Sequence, residues 1–476
     1  MVSETVVGTD GGLIERLRES YPVFRIDDAW AEVQGSSVEL KFAFSVATME
    51  FRPVVRLHGL RPDETARLPT ETSHRLIRAL AIIEAFSYWK AFCSPAIEVA
   101  LPPPDADELD WWRSFWPDAM AEFFYRNGID FTDAGFLDIV TAPGQEAADS
   151  ARLEGSETHR EPGTAAPRSA PLVMFSGGKD SLALALTLSD GGRRQIDCFL
   201  YNPTSEQSRL AESVTAGGRI LRVERRILPE LLELNARNHP NGHTPYSAYL
   251  GVAATLIGYL RGSEHVVAGN SRSDDEPNID SYFGRPVNHQ WTKTYAFEKA
   301  LRDYRDRWVP YAPSYSSPFR PLFELQVLSS LSDSLDSYLQ TASCNRTKGI
   351  GWCGECAKCA WVFLATAALF GLPTAVQKFG SDLFAQPELS ELYLRMAGLV
   401  GTKPFECTGT EEEVRVAVRA VSRRYSLENS AALSGCLHAP LVLGARPLEA
   451  LLADWGRDDL VPPAFVEQVR RCVAHR

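Results

Sequence analysis

Residues 171–188 constrain the fold more tightly than any other stretch of the chain. Pro171-Leu172-Val173-Met174 is an apolar run of strand length, and Leu182-Ala183-Leu184-Ala185-Leu186-Thr187-Leu188 is an apolar run of good helix formers. Between them stands Phe175-Ser176-Gly177-Gly178-Lys179-Asp180-Ser181. A strand, a tight Ser-Gly-Gly turn and a helix start place several backbone N–H groups around one concavity, where the helix dipole adds partial positive charge. Glycine supplies unusual φ angles and lets backbone approach a ligand with no Cβ in the way. The turn therefore suits a phosphate or pyrophosphate group, with Lys179 bringing charge and Ser176 and Ser181 bringing hydroxyls. Its order is not G-x-x-x-x-G-K-[ST]. Ser, Gly and Asp are also ordinary turn and cap residues, so the framing by strand and helix carries the reading.

Strands and helices alternate beyond the turn. Ile196-Asp197-Cys198-Phe199-Leu200-Tyr201, Ile220-Leu221-Arg222-Val223 and His265-Val266-Val267-Ala268-Gly269-Asn270 read as strands, and residues 246–260 are helical in pattern. That order predicts an α/β fold built on a doubly wound parallel sheet, with ligand at the carboxyl ends of the strands. Upstream, Val38-Glu39-Leu40-Lys41-Phe42-Ala43-Phe44 alternates as a strand does. Residues 75–92 and 107–125 read as helices, the second carrying Trp111, Trp112 and Trp116 as core residues. The predicted organisation is an α+β N-terminal domain at 1–141, a flexible linker containing His159 at 142–170, the glycine-turn domain at 171–400, and a helical C-terminal region at 401–476.

The 476 residues carry a formal charge of -12, which argues against a general binder of nucleic acid or anionic membrane. The N-terminal residues have no leader pattern, and the longest uncharged stretch, 359–376, is interrupted by Gly371-Leu372-Pro373. With no export signal, the nine cysteines point to a reducing cytoplasm rather than a disulfide scaffold.

Four of those cysteines form a second signal. Cys344-x8-Cys353-x2-Cys356-x2-Cys359 matches a closed tetrahedral zinc site of structural type, and Gly349, Gly351 and Gly354 let such a loop fold tightly. Iron–sulfur ligation and unrelated buried thiols are the alternatives. Cys93, Cys198, Cys407, Cys436 and Cys472 are scattered and read as structural. His239 and His243 flank Pro240-Asn241-Gly242, which is a loop and not the helix that a two-histidine metal face needs. Two polar segments remain. Asn270-Ser271-Arg272 follows a predicted strand and suits phosphate or substrate contact, or simple capping. In Val287-Asn288-His289-Gln290-Trp291-Thr292-Lys293-Thr294, His289 and Lys293 are candidates for proton transfer or for holding carboxylates. The plain alternatives are a hydrogen-bonded loop histidine and a solvated cation.

The Ser-Gly-Gly-x-Asp-Ser order resembles the PP-loop of the ATP pyrophosphatase superfamily, whose HUP-like fold implies ATP cleavage between the α and β phosphates. A PP-loop followed by this four-cysteine arrangement is similar to 7-cyano-7-deazaguanine synthase, but that family is about half as long and lacks the N-terminal domain. The longer architecture, the two polar segments and Trp352-Cys353-Gly354-Glu355-Cys356-Ala357-Lys358-Cys359 together resemble the MurL family. That resemblance implies an ATP- and Mg²⁺-dependent epimerase with a structural Zn²⁺, acting on UDP-N-acetylmuramoyl-L-Ala-L-Glu in peptidoglycan precursor synthesis. It implies a nucleotide site at Ser176, Gly177, Gly178, Lys179, Asp180 and Ser181, and catalysis by Lys179, Asp180, His289 and Lys293. Substrate contacts would come from Asn270, Ser271, Arg272, Asn288 and Gln290. The readings beside it are another PP-loop enzyme, amidating a carboxylate or thiolating tRNA, and a non-catalytic nucleotide sensor.

Overall fold

A computed structural model describes residues 11–35, 37–133, 135–143, 170–347, 350–426 and 430–474. Most of the expected linker, with His159, lies outside the described residues, as do Gly349 and the Cys472 side chain.

The N-terminal part contributes β1 (Val23–Gln34), β2 (Ser37–Val46), β3 (Met49–Phe51), β4 (Val54–His58), β5 (Ala96–Val99) and β6 (Asp138–Thr141). After the glycine turn come β7 (Leu172–Met174), β8 (Asp197–Tyr201), β9 (Ile220–Arg225), β10 (His265–Val267), the β11 (Ile279–Tyr282) and β12 (Arg285–Val287) hairpin, and β13 (Ser314–Ser316). All but the hairpin belong to one 11-stranded sheet in the order β13-β10-β7-β8-β9-β4-β2-β1-β5-β6, with β3 on β2. The run β13-β10-β7-β8-β9 is parallel throughout. In chain order it reads 5-4-1-2-3, the doubly wound arrangement in which the chain reverses direction between its first and fourth strands. Antiparallel pairs β4·β9, β2·β4 and β1·β2 extend it, so the protein is α/β with a large, mostly parallel sheet and many helices.

The N-terminal strands and the glycine-turn strands therefore share one sheet. Leu57 of β4 faces Val223 of β9, both fully buried, while Val55 faces Arg225. The helix Glu71–Trp89 covers this seam and packs against the helix Tyr246–Arg261. Thr70 caps the first by accepting from Ser73 N–H, which satisfies one of the orphan donors of its first turn. The expected helix at 107–125 is two helices, Ala106–Ala119 and Ala121–Arg126, with Pro117 near the break. Trp112 and Trp116 are buried there in an aromatic cluster.

Buried charge pairs bind the seam. Arg225 Nε donates to Glu84 Oε1 and Oε2 at 2.9 and 2.8 Å, and the Glu84 side chain is 1% exposed. Glu64 receives Arg219 at 2.6 Å and Arg261 at 2.7 Å, and Arg261 also pairs with Asp197 at the start of β8. Removing one member of a buried pair leaves an uncompensated charge, whereas replacing both by apolar groups is often neutral. Glu84→Ala should therefore lower the unfolding free energy by ~3–5 kcal/mol in chemical denaturation, and Glu84→Leu with Arg225→Met should restore most of it.

Candidate active site at the sheet switch point

A crevice of about 560 Å³ opens at the carboxyl ends of β7, β8 and β10, where the strand order reverses. The glycine turn forms its floor. Gly178 caps the helix Lys179–Leu188, and Gly177 has φ +76°, a left-handed conformation in which a Cβ would also stand 2.5 Å from Gln207 Cγ. Gln207 Nε2 donates to Ser176 O at 3.0 Å, fixing the turn from the neighbouring helix. Ser181 Oγ donates to Gly178 O at 3.0 Å and lies 3.3 Å from Ser176 Oγ. On the far side, a Cβ on Gly269 would come within 3.1 Å of the Asp180 carbonyl. The loop after β10 thus presses directly on the turn.

Lys179 is buried, and its ammonium is engaged. It donates to Asp180 Oδ1 at 2.7 Å and pairs with Glu324 Oε1, which also accepts from Trp361 Nε1 at 2.8 Å. Burial works against the Lys179 charge, but the two carboxylates outweigh it and raise its pKa. Burial raises the Glu324 carboxyl despite Lys179. This corner therefore holds two carboxylates against one ammonium.

The opposite wall carries a second cluster. Lys293 Nζ lies 3.5 Å from Cys407 Sγ, and the Cys407 thiol donates to Gln290 Oε1 at 3.6 Å. His289 Nδ1 is 2.8 Å from Glu122 Oε2, and His243 Nδ1 is 3.3 Å from that oxygen, while Arg126 donates to Glu122 Oε1 at 2.6 Å. The His289 imidazole also interacts with the Cys407 thiol, and its Nε2 is buried without a hydrogen-bond partner. Burial opposes the imidazolium, but Cys407 and Glu122 push His289 up to about 9. Burial would likewise raise the Cys407 thiol, but Lys293, His289 and Lys358 bring it down to about 5. His243 goes the other way, pushed down by burial to about 4. The result is a sulfur among basic side chains that favour its ionised form.

Cys344, Cys353, Cys356 and Cys359 converge with all four sulfurs within 4.8 Å of one another. The separations Cys344–Cys356, Cys353–Cys359 and Cys356–Cys359 are 4.0, 3.7 and 3.5 Å. A tetrahedron with metal–sulfur bonds of about 2.3 Å has edges of about 3.8 Å, so this donor set can hold a metal ion such as zinc. The helix Ala357–Phe370 leaves directly from it. Ser343, Cys344 and Lys358 belong both to this region and to the crevice wall.

The structure gathers most of the sequence candidates. Ser176, Gly178, Lys179, Asp180, Ser181, Asn270, Ser271, Gln290 and Lys293 line the crevice, with Gly177 in the turn behind them. His289 stands behind Cys407, joined to Glu122. Arg272 points elsewhere, over the Phe323 ring and toward Asp454. The Asn288 amide is held by the carbonyls of Asp274 and Glu276, away from the lining. His239 Nδ1 contacts Ala91 O and is not among the groups that meet at Glu122. Sequence reasoning missed Glu324, Glu122 and Asp274. It also read Cys407 as structural, whereas Cys407 lines the crevice. Burial would hold a structural thiol neutral; here the surrounding cations reverse that effect.

A glycine turn at the switch point of a doubly wound sheet, sharing one crevice with a cluster of titratable side chains, gives an α/β protein with an enzyme-like site. Residues 15–317 match the MurL N-terminal domain and residues 340–440 the MurL C-terminal domain. The chain belongs to the MurL family. It is 31% identical over 409 residues to the UDP-N-acetyl-alpha-D-muramoyl-L-alanyl-L-glutamate epimerase of Xanthomonas oryzae pv. oryzae, covering 83% of this chain and 85% of that protein. It is 28% identical to the protein of the same name from Salinispora tropica, covering 77% and 78%. The corresponding figures for the Micromonospora sp. protein are 30%, 74% and 76%. No solved structure matches the chain.

Two outcomes are expected from this geometry. A free histidine titrates near 6.5, so the raised His289 contributes stability in full below about 6.5 and loses it as pH rises through about 9. Cys407, brought down to about 5, gives the opposite slope up to the ordinary thiol value near 8.5, so stability should be nearly level between about 6.5 and 8.5 in the parent protein and should rise with pH in His289→Gln. Elemental analysis should find one metal ion per chain held by the four thiolates, and Cys356→Ser should release it and lower the melting temperature.

Proposed function

We propose that this chain inverts the terminal L-Glu of UDP-N-acetylmuramoyl-L-Ala-L-Glu to D-Glu through an acyl-adenylate, consuming ATP with Mg²⁺ and releasing AMP and diphosphate. The reaction would serve peptidoglycan precursor synthesis in the cytoplasm. Membership of the MurL family and the names of the relatives support the substrate. One observation carries the mechanism: a single crevice is lined by both the glycine turn and the Lys293–Cys407 cluster.

A free carboxylate resists loss of the neighbouring α-proton, because a second negative charge would develop beside the first. Adenylation removes that charge and lets the electron pair spread onto the acyl oxygen. Reprotonation on the opposite face inverts the centre, and hydrolysis releases AMP and the D-Glu product. Release of diphosphate and hydrolysis of the acyl-adenylate together drive the sequence forward.

In this reading Ser176, Gly177, Gly178 and Ser181 hold the phosphates, as a PP-loop does. The Lys179 charge is already matched by Asp180 and Glu324, so added phosphate charge would need a further cation, and Asp180 would help to hold Mg²⁺ for that purpose. Asn270, Ser271 and Gln290 contact the acyl substrate. Lys293 places an ammonium near the developing oxyanion. The four thiolates carry structural zinc and hold Ser343 and Lys358 in the wall of the crevice.

Incubation with ATP, Mg²⁺ and the UDP-linked dipeptide in deuterated water should yield AMP, diphosphate and α-deuterated D-Glu product. AMP formation only with a deazapurine carboxylate or tRNA would replace this reading with another PP-loop chemistry. Nucleotide binding with no AMP from any of these substrates would leave a sensor.

A further inference from the structure

We propose that the Cys407 thiolate is the base that takes the α-proton from the activated glutamyl substrate, with His289, anchored on Glu122, and Lys293 as the residues that hold it ionised. The proposal rests on the adenylation reading above and assigns a group to its central step.

Cys407 reaches the crevice from a loop 227 positions beyond Asp180, yet it lines the same cavity as the glycine turn. It stands outside the four-thiol cluster and is a free thiol. Its surroundings set it apart from the other described cysteines away from that cluster. Burial pushes Cys93, Cys198 and Cys436 each up to about 12. Cys407 instead has an ammonium at 3.5 Å and an imidazole beside it whose other partner, Glu122, lies 2.8 Å from Nδ1. The Lys293 ammonium and the Glu122-anchored imidazole put two cationic side chains around one sulfur, which favours its thiolate.

The charge states decide which group is the base. Lys293 is raised by Cys407 and Asp274 against the effect of burial, and His289 is pushed up to about 9, so both are protonated at neutral pH. Neither can accept a proton there. The sulfur between them can. In the step itself the Cα–H bond breaks and an S–H bond forms. The C–H electron pair enters the acyl system and places negative charge on the carbonyl oxygen. As Lys293 turns toward that oxygen, the sulfur loses its ion pair and becomes a stronger base. Water supplies the proton to the opposite face, and the hydroxide left behind is neutralised by the proton that Cys407 then gives up.

The test uses the full chain with ATP, Mg²⁺ and UDP-N-acetylmuramoyl-L-Ala-L-Glu in deuterated water, comparing parent protein, Cys407→Ala and His289→Gln. AMP and α-deuterium are read separately. Cys407→Ala is expected to keep forming AMP while α-deuterium incorporation falls by about 10²–10⁴-fold, the usual contribution of a positioned acid or base. The groups facing the sulfur are Lys293, His289, Asp274 and Lys358. Removing the imidazole alone should move the acid limb of the exchange–pH profile upward from about 5, toward an ordinary thiol. Deuterium incorporation at the parental rate in Cys407→Ala would overturn the proposal. So would parallel loss of AMP and deuterium, which would make Cys407 a binding group. An acid limb that His289→Gln leaves in place would remove His289 from its assigned role. If the parent protein gives neither AMP nor deuterium, the adenylation reading fails first. The rate of Cys407 alkylation by iodoacetamide as a function of pH then still tests the thiolate, and an ordinary thiol profile would refute it.

Discussion

Arg320 donates from one buried guanidinium to the carbonyls of Ser271 and Lys293, at 2.8 Å each, and to the Glu298 carboxylate at 3.0 Å. Ser271 begins the turn after β10, Lys293 ends the segment bearing His289, and Glu298 sits in the first turns of the helix Tyr295–Trp308. Three separate pieces of backbone are thereby fixed to one planar group with matched charge. Glu298 Oε1 also accepts from Ser317 N–H just beyond β13, so the outer strand joins the same node. The crevice has a defined shape on this side because these loops cannot move independently.

The same logic of compensated charge runs through the site. At the turn, one ammonium meets two carboxylates; across the crevice, one thiolate meets several cations. The two ends therefore carry opposite imbalances at close quarters. His243 and His289 share the Glu122 carboxylate yet differ in charge, because only His289 also meets the Cys407 sulfur.

Features with local causes were legible in the sequence. The Ser-Gly-Gly turn, its flanking strand and helix, and the C-x2-C spacings all encode their geometry within a few residues. The helical character of the C-terminal region was readable for the same reason, and in its helix Glu411–Arg424 the residues Thr410 and Glu413 form a capping box. What escaped notice was assembled at long range. The β4·β9 pairing joins segments more than 160 positions apart and leaves no local mark in either. Cys407 looks like any scattered thiol until Lys293 and His289 are folded against it. Glu324 gains its importance only from the ammonium of Lys179 and the indole of Trp361. Asn288 and Arg272 had the right chemistry on the right segments, but tertiary partners claimed both side chains.

The β4·β9 seam also sets an order of events for a ribosome making this chain. β4 ends at His58 and its partner begins at Ile220. At synthesis rates of about 5–20 residues per second, the β4 edge waits on the order of ten to thirty seconds for the strand that will cover it. Throughout that interval a row of unpaired backbone groups on a largely apolar strand is open to any other chain nearby. The nascent protein is thus most vulnerable long before the catalytic crevice exists, and its yield in a cell depends on what shelters that edge.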